Sequence, residues 1–206
     1  MSLPRPPLLL VTDRRQARAP LENILAAAFA AGCRWASLRE KDLPEPEQIA
    51  LARALHAVAR QHGARLTLHG SAETAKAAGV DGVHLSGGAD AVAARNLLGS
   101  SALIGISVHT PSEAARVPAG TVDYVVAGPA FETASKPGYG PALAEAGIAA
   151  IASATPLPLI AIGGIEADNI GGILRAGAAG VAVMGGVMRA ADPGEIIREL
   201  LSRLRA

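Results

Sequence analysis

One cysteine, Cys33, is all the thiol chemistry the chain carries, which excludes an intramolecular disulfide and a cysteine-based metal cluster. Its neighbours Ala31 and Trp35 are apolar, so a structural thiol is expected. Aromatic residues make up only 2% of the sequence. The core is therefore expected to be built from alanine, valine, leucine and isoleucine, which suits a parallel sheet buried between helices. An excess of charge is missing too. The net charge is +1, with no arginine-rich face interleaved with aromatics, and a nucleic-acid surface normally needs such clustering. Long apolar runs are absent, and the N-terminal "MSLPRPPLLLVTDRR" is broken at Asp13, too early for a bilayer span. The expectation is a cytoplasmic protein with neither a membrane nor a nucleic-acid partner.

What the chain does have is regularity. It is 206 residues long and 50% hydrophobic, enough for one sizeable domain, expected over residues 1–206. Apolar runs of strand length recur at Leu8–Thr12, Trp35–Arg39, Leu66–His69, Gly82–Leu85, Leu103–Val108, Tyr124–Ala127, Leu159–Ile162 and Gly180–Met184. Between them lie alanine-rich amphipathic stretches such as Pro46–His62 and Pro193–Leu204. Strands alternating with helices argue a parallel sheet, and eight of them argue closure into a single-domain α/β fold, the (β/α)8 TIM barrel. "AAGCRW", "AAGVDGV" and "RAGAAGV" share a glycine where a helix stops and the next strand begins, the position of a left-handed cap. An open doubly wound sheet would want its glycine fingerprint after the first strand; "TDRRQ" stands there instead.

In such a barrel the chemistry sits at the C-terminal ends of the strands, with phosphate commonly held after strands seven and eight. Those strands end "IAIGGIEADNI" and "VAVMGGVM". Gly163, Gly164, Gly185 and Gly186 are thus the candidate phosphate-binding residues, because glycine lets backbone N–H groups approach an anion. The second strand runs out into "SLREKD"; alternation puts Ser37, Arg39 and Lys41 on one face, with the two cations suited to a second anionic group. The fifth ends "GISVHT", with Ser107 and His109 on one face, and the sixth continues into "GPAFETASKPGYG", carrying Thr133, Ser135 and Lys136. Long βα loops usually cover a site. His84, between Val83 and Leu85, reads as an orienting core histidine. The third and fourth strands end in His69-Gly70 and Ser86-Gly87-Gly88.

Taken in order, "LLLVTDRR", "SLREKD", "GVHLSGG", "IGISVHT", "GPAFETASKPG", "IAIGGI" and "VAVMGG" resemble the thiamine phosphate synthase / TenI family of barrels over nearly the whole chain. The resemblance implies an enzyme of thiamine biosynthesis that binds a thiazole phosphate. In the synthase branch, a pyrimidine pyrophosphate is joined to a thiazole phosphate with Mg²⁺ at the leaving group. That branch typically reads Gln-x-Arg-Glu-Lys on strand two, Asn-Asp at the end of strand three and Gly-Gln-x-Asp after strand four. Here Arg39, Lys41, Ser107, Thr133 and Lys136 match the pattern. Ser37 replaces the glutamine, His69-Gly70 replaces Asn-Asp, and Ser86 to Ala89 replaces Gly-Gln-x-Asp, with Asp90 one residue out of register.

The loss of both metal carboxylates points to the TenI-like branch, whose activity is thiazole tautomerisation. That is a proton transfer needing a phosphate anchor, a cation for a carboxylate and an acid–base group, with no metal and no cofactor. The tautomerase histidine corresponds to Pro129 here, so His69 and His109 become the expected catalytic residues, histidine titrating near neutrality. The expected function is therefore a metal-independent tautomerase. Two alternatives stand beside it: a Mg²⁺-using thiamine phosphate synthase with a displaced site at Asp90 or Glu40, and a non-catalytic binder of thiazole phosphate. The reading also allows a homodimer.

Overall fold

The computed structural model describes residues 3–118, 120–133 and 141–204. Eight strands close into a barrel in sequence order, β1 (Leu8–Val11), β2 (Trp35–Leu38), β3 (Arg65–His69), β4 (Gly82–Leu85), β5 (Leu103–Val108), β6 (Tyr124–Ala127), β7 (Leu159–Ile162) and β8 (Gly180–Val183). Every neighbouring pair is parallel, including β8 with β1. The helices that return the chain are α1 (Leu21–Ala30), α2 (Glu45–Gln61), α3 (Ala72–Ala78), α4 (Ala91–Leu98), α5 (Pro111–Ala115), α6 (Ala144–Ser153) and α7 (Ile170–Arg175). After β8 come a single turn, α8 (Gly185–Met188), and the amphipathic α9 (Pro193–Leu204). The (β/α)8 expectation and the strand positions hold, with ends shifted by a residue at β1, β2, β3 and β8. No helix among the described residues is long and apolar enough to cross a membrane.

Two apolar layers follow from the period-two alternation of the strands. One face of each strand packs outward on the helices, where Leu8, Leu10, Leu66, Leu68, Ile104, Val125 and Val181 meet Ile24, Leu25, Leu55 and Ile197. That layer is aliphatic, as the composition implies, apart from Phe29. The inward face departs from the aliphatic expectation. Leu9, Val11, Leu103, Val126, Ile160 and Ala182 pack there around Trp35 and Tyr124. The two rings meet edge to face, 4.7 Å apart at 86°, both fully buried. The few aromatics plug the barrel. Cys33 is buried as expected, and burial pushes its thiol up to about 11.

The turns from helix to strand obey one rule. Gly32, Gly79 and Gly177 all adopt positive φ, at 110°, 70° and 96°, where an L side chain is strained. Before β4 and β6 an aspartate then pins the preceding strand. Asp81 accepts the Leu66 N–H at 2.8 Å and pairs with His56 Nε2 at 3.2 Å. Asp123 repeats the arrangement, accepting from Ile104 N and Arg95 Nη2, both at 2.8 Å. Burial would push the Asp123 carboxyl up, but the Ile104 N–H and the Arg95 guanidinium outweigh it and hold it below the usual carboxylate range. The stability this carboxylate contributes is present above its unfolded value and is lost as pH falls through the folded one. Replacing Asp123 by Ala leaves a buried donor and cation unpaired, and an expected cost of about 3 kcal/mol can be read by urea unfolding at pH 7.

Candidate functional site

The C-terminal ends of the strands open into a cavity of about 670 Å³, within the usual range for a small-molecule site. Its floor is the top layer of inward-facing side chains, Ser37 from β2, His69 from β3, His84 from β4 and Ser107 from β5. Alternation alone selects them. His84 is fully enclosed, and its Nε2 lies 2.9 Å from Ser107 Oγ. Its ring stands 4.8 Å from that of His69 and 5.8 Å from that of Tyr124. Burial, and then the charge of Lys41, push the His84 pKa down to about 3. A neutral imidazole therefore orients Ser107, in agreement with the orienting role expected for it. Its other nitrogen, Nδ1, and the Ser37 hydroxyl are buried without a hydrogen-bond partner among the described residues. Both residues face the cavity. They are acceptor and donor capacity held in reserve for a ligand.

The β2 side of the mouth is held by a buried carboxylate. Glu40 is only 3% exposed; it accepts from the Thr12 hydroxyl at 2.8 Å and from Arg14 N at 3.0 and 3.1 Å. Thr12 Oγ1 in turn accepts from Arg39 N at 2.9 Å. The loops after β1 and β2 are thereby locked together. Burial, exceeding the effect of these hydrogen bonds, pushes the Glu40 carboxyl up. Arg14 and Arg15 close on Asp42 at 2.7 and 3.0 Å. Arg39 lines the cavity, while Lys41, expected beside it, is exposed and not part of the lining. Burial, then the neighbouring Arg39 charge, lower the Lys41 pKa.

On the β7–β8 side, Gly163, Gly164, Gly185 and Gly186 all line the cavity, as the sequence pattern implies. Their reasons for being glycine differ. A Cβ on Gly163 would lie 2.9 Å from Pro129 Cα, and one on Gly164 would lie 2.5 Å from Glu132 O. Ala130 N and Phe131 N donate to Ile162 O and Gly163 O at 2.8 and 3.0 Å. The loop after β6 therefore lies directly on this pair. At Gly186 a Cβ would meet nothing within 4 Å, leaving backbone open to the cavity. Gly185 and Gly186 begin α8.

Of the remaining candidates, Thr133 lines the cavity; Ser135 and Lys136 lie outside the described residues. His69 is half-buried at the end of β3 and faces the cavity. His109 reaches the cavity from its exposed rim, with Glu113 taking its N–H at 2.6 Å and lying 3.2 Å from its Nδ1. Pro129 also lines the cavity. Sequence reasoning missed Glu132, Glu166, Asp168, Arg189 and Glu199, which contribute to the wall. Four come from loops, where no periodicity signals direction, and Glu199 from α9, whose pattern marks its buried face but not its place at the cavity.

The residues do not fit the divalent ion that the family pattern implies. No group of three or more His, Cys, Asp or Glu able to hold a metal occurs among the described residues. Asp90 caps α4 by accepting Ala93 N at 2.9 Å, and Glu40 is taken by Thr12 and Arg14. Neither carboxylate left near the expected metal position is available.

Fold and site together define a small-molecule enzyme of the barrel class, with anion-suited groups on both strands that flank β1. Comparison with known proteins names the family. The family model described as "Thiamine monophosphate synthase" matches residues 8–187, and the chain belongs to that family. It is 42% identical over 199 residues to a putative thiamine-phosphate synthase of Geobacter sulfurreducens, covering 96% of this chain and 93% of that one. It is 35% identical over 202 residues to the thiamine-phosphate synthase of Moorella thermoacetica, covering 96% of each. The structure of a thiamine phosphate pyrophosphorylase from Pyrococcus furiosus superposes with a TM-score of 0.84 at 28% identity, covering 96% of this chain and 95% of that one. These names support an enzyme of thiamine biosynthesis and favour the transferase alternative over the tautomerase expectation.

Proposed function

We propose that the chain is a transferase that joins a thiazole phosphate to a pyrimidine bearing a diphosphate leaving group, giving thiamine phosphate. The observation that carries this reading is the arrangement of two anion-suited ends around one cavity. Glycine turns lie after β7 and β8, and the Arg39 cation lines the cavity after β2, with Lys41 exposed two residues further on. Both β8 and β2 pair with β1, so one ligand phosphate on each flank brings two substrates together over the same floor. The names of the relatives support it.

The reaction breaks the bond between the pyrimidine methylene carbon and the diphosphate oxygen, whose electron pair leaves with the diphosphate. The thiazole nitrogen supplies the pair for the new carbon–nitrogen bond, and no proton has to move. Arg39 and Lys41 neutralise charge building on the leaving group. Ser37 and His84 present polar atoms to a heteroaromatic ring on the floor, and the enclosing walls keep water from the cationic carbon.

The experiment supplies both substrates and follows thiamine phosphate and diphosphate together. Equimolar formation of the two is expected, with Arg39→Ala slower by about a hundredfold. A second reading, thiazole tautomerisation, is favoured by the His69 and His84 rings, tilted against each other in the cavity lining. No coupled product, together with aromatisation of the thiazole carboxylate phosphate that His69→Ala abolishes, would replace the first reading by the second.

A further inference from the structure

We propose that the β2–β4 side of the cavity binds a diphosphate group without a divalent cation. The inference rests on the coupling reading only for the identity of the anion. Its physical ground is the balance of charge on that side. Strands β3 and β4 end in His69-Gly70 and Ser86-Gly87, with no carboxylate in either turn. Asp90 is committed to the N-terminus of α4, where Ala93 N donates to it. Glu40 is enclosed and committed to Thr12 and Arg14 N. The two acids that could have recruited a metal are therefore both occupied in holding backbone.

The acids of the wall, Glu132, Glu166, Asp168 and Glu199, belong to the loops after β6 and β7 and to α9, and the β2–β4 side carries none. Arg39 is a fixed cation in the wall, with its backbone N–H tied to Thr12 Oγ1. Lys41 follows it two residues on in the loop after β2, exposed. Two like charges held in one loop are stabilised by an anion between them. A divalent cation would add to the repulsion. Below them, Ser37 and His84 line the cavity, and the Ser37 hydroxyl and His84 Nδ1 are buried without partners among the described residues. A diphosphate ester presents several acceptor oxygens, and its ring presents donors and acceptors, so cations and orphan polar atoms are served by one ligand. Guanidinium and ammonium donors do here what a metal held by carboxylates does where acids are present.

The test is calorimetric titration of the full chain with inorganic diphosphate, in EDTA and again with excess Mg²⁺. Saturable binding in EDTA is expected, weakened about tenfold or more by Arg39→Ala and by Arg39→Gln. Thermal unfolding of each variant identifies any loss due to misfolding. Binding that appears only when Mg²⁺ is present overturns the proposal, as does no binding under either condition. Binding in EDTA that both Arg39 variants leave unchanged overturns the location. Coupling activity is read separately. Diphosphate bound in EDTA without any coupled product leaves this inference standing and removes the transferase reading; coupling with diphosphate bound only through Mg²⁺ does the reverse.

Discussion

Gly105→Ala is expected to lower the stability of the barrel by about 3 kcal/mol or more, among the larger effects a single methyl group can have. The added Cβ would sit 2.1 Å from Tyr124 Cζ and 2.3 Å from Cε2. Gly105 and Tyr124 are register partners on β5 and β6, both on the inward face, so the tyrosine ring lies over the glycine. It cannot swing away, because Trp35 abuts it edge to face and both rings are sealed in the barrel. The melting temperature should fall by about 10 °C, given roughly 2–4 °C per kcal/mol for a chain of this size. Tyr124→Leu in the Gly105→Ala background should recover part of the loss, although alone it leaves a cavity beside Trp35. That non-additivity is the signature of a shared volume. A Gly105→Ala protein melting within a few degrees of the parent would mean that the interior is looser than its geometry.

Acid should destabilise the fold through His84, well above the range where most carboxylates titrate. The folded imidazole is held at about 3 by burial and the Lys41 charge, against an ordinary 6.5. Between those values the unfolded chain binds a proton that the folded chain refuses, so stability rises with pH across that window and falls as pH drops below 6.5. The slope approaches about 1.4 kcal/mol per pH unit, or about 2.5 kcal/mol lost between pH 7 and pH 4.5. His84→Gln, which can still place a polar atom near Ser107, should flatten the denaturation midpoint over that interval. Glu40 works in the opposite sense: its raised carboxyl binds its proton more readily in the folded state, so its contribution falls as pH rises from 4.5. It is common to both proteins, and the difference between them isolates the histidine. Equal slopes in parent and variant would show that His84 is not the group that refuses the proton.

The catalytic consequence is that His84 is neutral throughout the range where the enzyme would work. The other histidines lining the cavity are His69 and His109, and of the two His69 is the one at the floor. His109 has Glu113 as its neighbour on α5. Their positions follow from where β3 and β5 end, not from any special turn.

Much of this protein is determined by the order of its residues alone. Period-two alternation in eight apolar runs, separated by helical stretches, leaves few closed arrangements. The glycine signals at three of the turns mark where a helix stops and the next strand begins. The same alternation puts Ser37 and Arg39 on one face of β2, and Ser107 and His109 on one face of β5, and all four line the cavity. Three matters were decided only by the tertiary structure, each because it depends on what lies across space. Gly163 and Gly164 read as glycines kept for an anion, yet an added Cβ on either would meet the loop after β6, whereas one on Gly186 would meet nothing within 4 Å. A chain poor in aromatics reads as purely aliphatic, yet Trp35 and Tyr124 meet at the barrel axis because Gly105 makes room. The acidic wall of Glu166, Asp168 and Glu199 comes from a loop and from α9, whose approach is set by packing against the rest of the barrel. Glu40 belongs with them: in sequence it is one acid in "REKD", and only the contact between the loops after β1 and β2 turns it away from the ligand and onto Thr12 and Arg14.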